Sequence, residues 1–279
     1  MRGAPTSWRV AGRELLAAPP RLTCWRAPTD NDRGGWPEAV TATWRSWGLD
    51  RLGVRTVSCS LFRTDARAAV VAVEQVLGAV ARAAIFRALL MWTFTGDGIV
   101  SVRTELEPLR EGLPPLPRIG LRLDLPRTFD RLVWYGRGPG DSNPDRQAGT
   151  RFGRWTSTVD REHVGWIRPQ EHGHHGNCRW FAVHDARGWG LVAVGDHLFG
   201  SSALGYTPEE LTAKDHDQQL VRHPATVSHL DNRQHGIGTA SCGPRPMEQY
   251  HLLAQPMAFV FDLVPFEGQA EDPGTAARR

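Results

Sequence analysis

Lysine is all but missing from this chain: Lys214 stands alone among 33 basic residues, and the rest are arginines. They are scattered and offset by 30 acidic residues, leaving a formal charge of +3. Without a basic tract, neither nucleic acid nor an anionic membrane surface is an expected partner. The four cysteines, Cys24, Cys59, Cys178 and Cys242, are far apart and form no CxxC pair. That pattern predicts neither a disulfide framework nor a zinc site, and it places the chain in a reducing compartment, the cytoplasm. No run of about 18 apolar residues exists to span a bilayer as a helix. Nor does an apolar stretch follow Met1–Pro5, so no secretory leader is expected.

What is abundant is turn chemistry. The 279 residues include 29 glycines and 20 prolines, more than a helical bundle tolerates. Between these breakers lie runs of period two. From Val100, the residues Val100, Val102, Thr104 and Leu106 fall on one face, and Ser101, Arg103 and Glu105 on the other. This is the pattern of a half-buried strand. Gly96-Asp97-Gly98 joins it to the apolar run Ile85–Phe94, which predicts a hairpin. Leu121, Leu123 and Leu125 alternate in the same way, and Leu132–Tyr135 and Phe259, Phe261 and Leu263 make two more such runs. Many short strands at short spacing predict an all-β sandwich or barrel. Two short helices are readable, one from Pro37 to just before Gly48 and one opening at Thr207-Pro208-Glu209-Glu210 with a capping box. The Pro-rich stretch Glu107–Arg118 reads as a linker or as a long connection between two sheets. The polar tail after Phe266 is expected to fray.

Several clusters invite chemistry, each with a plainer alternative. Asp30 and Asp32 resemble the carboxyl pair of a glycosidase, whose two groups lie about 5–10 Å apart. In a segment so rich in turn formers they read better as turn residues accepting backbone N–H groups. His172, His174 and His175, with His163 and His184 nearby, raise a metal site. They lack helical HExxH spacing and a carboxylate at a standard offset, so a solvated or sugar-contacting loop is expected. Gly136-Arg-Gly-Pro-Gly140 lacks the Lys-Ser/Thr of a phosphate loop and predicts a turn in which glycine supplies positive φ. Cys242 has His235 near it in sequence as a base, but no third partner to make it a nucleophile. Eleven tryptophans supply core and, where exposed beside Asp, Asn or Arg, sugar-stacking surface.

Five segments, in order, resemble the C-terminal domain of family 2 β-galactosidases, also called domain 5 or the small chain. They are Trp25-Arg-Ala-Pro-Thr-Asp-Asn-Asp32; Trp134-Tyr-Gly-Arg-Gly-Pro139 with Asn143-Pro-Asp-Arg146 and Gly149; Arg168-Pro-Gln-Glu-His-Gly173; Tyr206-Thr-Pro-Glu-Glu-Leu211; and Asp231, Gln234, Gly236-Ile-Gly238 with Ser241-Cys-Gly243. The resemblance runs from about Trp8 to Pro265. It implies a large antiparallel β-sandwich of the galactose mutarotase-like type (a supersandwich) over residues 1–266, with 267–279 a flexible tail. It also implies a role as the C-terminal domain or small subunit of a retaining β-galactosidase. In such enzymes the catalytic glutamates lie on a separate (β/α)₈ barrel, so no catalytic residue is expected on this chain. The expected partners are that large catalytic chain and a galactoside, and the expected setting is lactose catabolism. No cofactor is expected here, although the full enzymes often use Mg²⁺ and Na⁺.

Transferred by position, Glu171, His172, Asp231 and Cys242 are the expected carbohydrate-contacting residues, while Trp25, Arg26, Asp30 and Asp32 are expected to hold the domain together. Two departures stand out. Cys242 replaces a tryptophan that stacks on sugar, a loss on the order of 1–3 kcal/mol if nothing compensates, and His172 replaces an asparagine. The resemblance also implies one or two strands before Trp8, so the chain reads as truncated, with Trp8, Val10, Leu15 and Leu16 exposed at an unpaired edge. The alternatives are a stand-alone galactoside-binding module, a mutarotase-like epimerase and an inactive gene fragment.

Overall fold

A computed structural model describes residues 3–34, 39–268 and 271–279. The predicted helix start at Pro37 lies outside the described residues. The elements in order are β1 (Arg9–Val10), β2 (Arg13–Glu14), β3 (Ala18–Thr23), α1 (Asp30–Arg33), α2 (Val40–Ser46), β4 (Leu52–Thr64), β5 (Ala68–Ala79), β6 (Phe86–Thr95) and β7 (Val100–Pro108). Then come β8 (Arg118–Pro126), β9 (Arg131–Gly138), β10 (Arg151–Thr158), β11 (His175–His184), β12 (Trp189–Leu204), α3 (Pro208–Ala213), β13 (Ala225–Gln234), β14 (Met257–Glu267) and α4 (Pro273–Ala276). The expected all-β antiparallel architecture is present.

One strand organises the sheet. β11 pairs along one edge of the 16-residue β12. On the other edge, Trp189–Gly195 pairs with β14 and Gly200–Leu204 pairs with β13. The sheet therefore forks at residues 196–199 of β12. One arm continues β14-β7-β6-β5-β4, and the other continues β13-β8-β3. Both arms contribute to one apolar core, Val73, Leu90 and Val102 from the first, Leu121 and Leu230 from the second. Each such aliphatic side chain contributes about 1.5–3 kcal/mol by leaving water.

The predicted β6–β7 hairpin forms, with Val100, Val102, Thr104 and Leu106 buried on the expected face. On β8 the leucines alternate as expected, but the opposite face is not solvated: Arg118, Arg122 and Asp124 are buried there. The Pro-rich stretch Glu107–Arg118 carries the chain from one arm to the other. It is pinned where Trp44 Nε1 donates to the Pro115 carbonyl (2.7 Å) and Leu116 N to that of Leu252 (2.7 Å).

Three expectations change. Trp8, Leu15 and Leu16 are buried, because β1 and β2 pair and Glu14 accepts the amides of Trp8 and Leu16. Gly136 and Gly138 sit in β9 with no positive φ. They are small because neighbours come close: a Cβ on Gly136 would lie 2.8 Å from Cys178 Cα, and one on Gly138 2.6 Å from the Trp155 ring. Within the tail expected to fray, Asp272 caps α4, and Ala276 is buried in a small cluster with Trp180 and Phe266.

Candidate functional site

The five sequence blocks, dispersed along the chain, meet in space. Arg26, fully buried, forms a bidentate pair with Asp32 (3.2 and 2.7 Å) and donates to the carbonyls of His235 (2.6 Å) and Gly236 (3.1 Å). Asp32 also closes a capping box with Thr29, so the Asp30–Asp32 segment is one helical turn rather than a catalytic pair. Asp30 N and Gln170 Oε1 are 2.9 Å apart, and Asn31 reaches the Gly238 carbonyl and Ser241. Asp145 accepts the amides of Ile237 (2.9 Å) and Gly238 (2.6 Å). Ser142 O takes His174 Nδ1, and Asp141 accepts Gly173 N. Trp25 Nε1 donates to Thr212 on α3, whose first turn is capped by Thr207 alone; Glu210 turns away to accept Val221 N.

Beneath these loops lies a buried charge network. Arg118 Nη2 sits 2.5 Å from Glu171 Oε1 and 3.2 Å from Asp231 Oδ2, so one guanidinium serves two carboxylates. Glu171 Oε2 also accepts Ala27 N at 3.2 Å. Asp231 is fully buried, and that burial pushes its carboxyl up to about 7 despite Arg118. His174 Nε2 stands 3.7 Å from Asp231, and burial lowers its pKa to about 3, leaving the ring neutral. Arg118 Nε and Nη1, Asp231 Oδ1, His174 Nε2 and Gln234 Oε1 are buried without a hydrogen-bond partner among the described residues.

The four expected site residues separate accordingly. Glu171 and Asp231 come together on Arg118. His172, next to Glu171 in the chain, is buried, its Nδ1 on the Gln170 carbonyl at 2.8 Å. Cys242 lies apart, on an exposed turn where its amide bonds Thr239 O. The histidine loop, expected to be solvated or to contact sugar, is buried, and its rings take separate partners: His175 bonds Glu162 and His174 bonds Ser142. Among the described residues no three His, Cys, Asp or Glu side chains gather as a metal site would require. Arg118 was not singled out by the sequence; Asp145 and Gln234 entered only as members of the resemblance blocks, and His174 only as a candidate metal ligand. A lone Arg at the end of a Pro-rich stretch reads as a solvated charge until its partners fold onto it.

The model of the beta-galactosidase small chain matches residues 1–263. The chain belongs to that family. Curated relatives include a beta-galactosidase of Actinobacillus pleuropneumoniae, 29% identical over 91% of this chain and 24% of its own length. Another, from Vibrio cholerae, is 32% identical over 91% and 24%, and one from Arthrobacter sp. is 30% identical over 88% and 26%. This small chain thus spans about a quarter of the length of the relatives it matches. A galactose 1-epimerase from Lactobacillus acidophilus aligns in structure at 10% identity, covering 77% of this chain and 66% of its own, with a TM-score of 0.41. No described helix is long and apolar enough to cross a membrane.

Proposed function

We propose that this small chain is the C-terminal sandwich, or separate small subunit, of a retaining β-galactosidase of glycoside hydrolase family 2. Its work is to close the galactoside pocket of a barrel-bearing large chain in the cytoplasm. The observation that carries this reading is that the five blocks meet, with the first two holding the exposed turn of the fifth. Asn31 accepts Ser241 N and Oγ, Asp145 holds Ile237 and Gly238, and Arg26 grips the carbonyls just before them. Cys242 sits on that turn, where a sugar or a second chain can reach it. Glu171, His172 and Asp231 act from beneath as positioning residues. The acid/base and nucleophile belong to the large chain, where a covalent glycosyl intermediate would form and be hydrolysed.

The test is an assay of the full chain alone and co-expressed with the part of the Arthrobacter relative outside the matched segment. Alone, it should leave a nitrophenyl β-galactoside unhydrolysed above background; together, the two should co-purify and hydrolyse it. Turnover by the isolated chain, abolished by a substitution within it, would move the catalytic pair onto this chain. Absence of both co-purification and activity would remove the partnership.

A further inference from the structure

The fork in the sheet leaves a cavity of about 360 Å³ between the bend of β12 and the end of β13, within the size range of small-molecule sites. We propose that it binds a neutral pyranoside, at a position separate from the Cys242 turn. The inference does not rest on partnership with a large chain, since every residue it uses is on this chain.

Two irregularities aim side chains at this place. The pairing of β11 with β12 slips between His175 and Cys178, and Asn177 in the slip holds φ +54°. The pairing of β13 with β8 slips between Asp231 and Arg233, leaving Asn232 as the extra residue. Bulges of this kind re-aim side chains and gather at functional sites. Both carboxamides line the cavity, with Gln234 and Gln249. From the buried network, His174 (3% exposed) and Gln234 (5% exposed) also face it, and His174 Nε2 and Gln234 Oε1 have no hydrogen-bond partner among the described residues. Leaving such groups unpaired is costly unless a ligand or solvent satisfies them.

The chemistry of the lining selects the ligand. Carboxamides and the neutral imidazole of His174 each offer both donor and acceptor capacity, which is what a row of hydroxyls demands. Tyr250 adds ring surface. Among the described residues no carboxylate lines the cavity, so they give a divalent cation no hard oxygen anions to bind. Arg233 is the sole formal charge among the lining residues, too little for a phosphorylated ligand, which is ordinarily held by several charge-assisted bonds.

The test titrates the full chain with methyl β-D-galactopyranoside and methyl β-D-glucopyranoside, followed by amide chemical shifts in NMR. Two variants probe the wall. Asn177→Gly removes a carboxamide while keeping a residue that accepts positive φ, and Gln249→Ala removes an exposed one. Saturable shifts at the fork are expected for at least one glycoside. The double variant should weaken binding about tenfold with an unchanged melting temperature, as expected for two lost hydrogen bonds. The proposal is overturned if neither glycoside saturates, if the double variant binds as the parent does, or if glucose 1-phosphate binds much more tightly than both. Any of these would leave the co-expression assay unaffected, and failure of that assay would leave this titration to stand or fall alone.

Discussion

The two arms of the forked sheet are built on opposite principles. In the arm β13-β8-β3, almost every residue of β8 and β13 is buried on both faces. The face away from the leucines carries Arg118, Arg122, Asp124 and Asp231, each in an ion pair. In the other arm, the outermost strand β4 is exposed over most of its 13 residues, with Val57, Leu61 and Phe62 open to solvent. The inner arm has nowhere to put an unpaired charge, so its charged side chains are fixed by one another. The outermost strand has water as a partner over most of its length. Sequence changes of similar size should therefore have very different consequences in the two arms.

The largest contrast is expected from Arg118→Met. It strands Glu171 and Asp231 in the interior, and removing one partner of a buried pair costs about 3–5 kcal/mol. A urea melt at neutral pH should show that loss. The loss should shrink near pH 5, where Asp231, with its pKa near 7, already holds a proton. An unchanged urea midpoint would mean that the network contributes nothing to the fold.

Acid should reveal the same arm next. His174 and His235 are held neutral by burial, with pKa values lowered to about 3, and His229 is lowered as well. A depressed folded-state pKa contributes stability that is complete above the unfolded value near 6.5 and lost as pH falls toward the folded one. Asp231 works the other way. Its raised pKa favours the fold below about 4, and that contribution is lost as pH rises through about 7. Three histidines against one aspartate predict net destabilisation as pH falls from 6.5 toward 3. His174→Asn keeps a donor for Ser142 O and removes one titrating ring, so its stability profile should be flatter over that range. A profile as steep as the parent's would contradict the assignment.

The smallest effect belongs to the outer hairpin. Phe62 is 67% exposed on the edge strand. Phe62→Lys should change stability by less than about 0.5 kcal/mol and should reduce self-association through the free edge. A loss of more than 1–2 kcal/mol in a urea melt would show that β4 is packed more tightly than its exposure implies.

This contrast also explains what the sequence could reveal. Strands with a solvated or uniformly apolar face announce themselves by period two, which made the β6–β7 hairpin legible, and the helix start at Thr207 was legible from its cap. The five blocks were legible as a family resemblance, because each keeps its residue types in order. Their purpose was not. Nothing in the local sequence says that Arg26 reaches His235, that Asp145 holds Gly238, or that Arg118 lies between Glu171 and Asp231. Gly136 and Gly138 misled for a related reason. Glycine marks either a positive φ or a close neighbour, and only the fold brings Cys178 and Trp155 against them. The cavity at the fork depends on where β12 changes partner, which no single segment records.

The central claim is that the buried contacts between blocks fix the exposed Cys242 turn. Amide hydrogen exchange in Asp145→Ala tests it most directly, because that carboxylate accepts both Ile237 N and Gly238 N. The account predicts faster exchange across residues 237–243, with the amides of β4 and β5 unchanged from the parent. Unchanged exchange at 237–243, or an increase spread equally over β4 and β5, would contradict it.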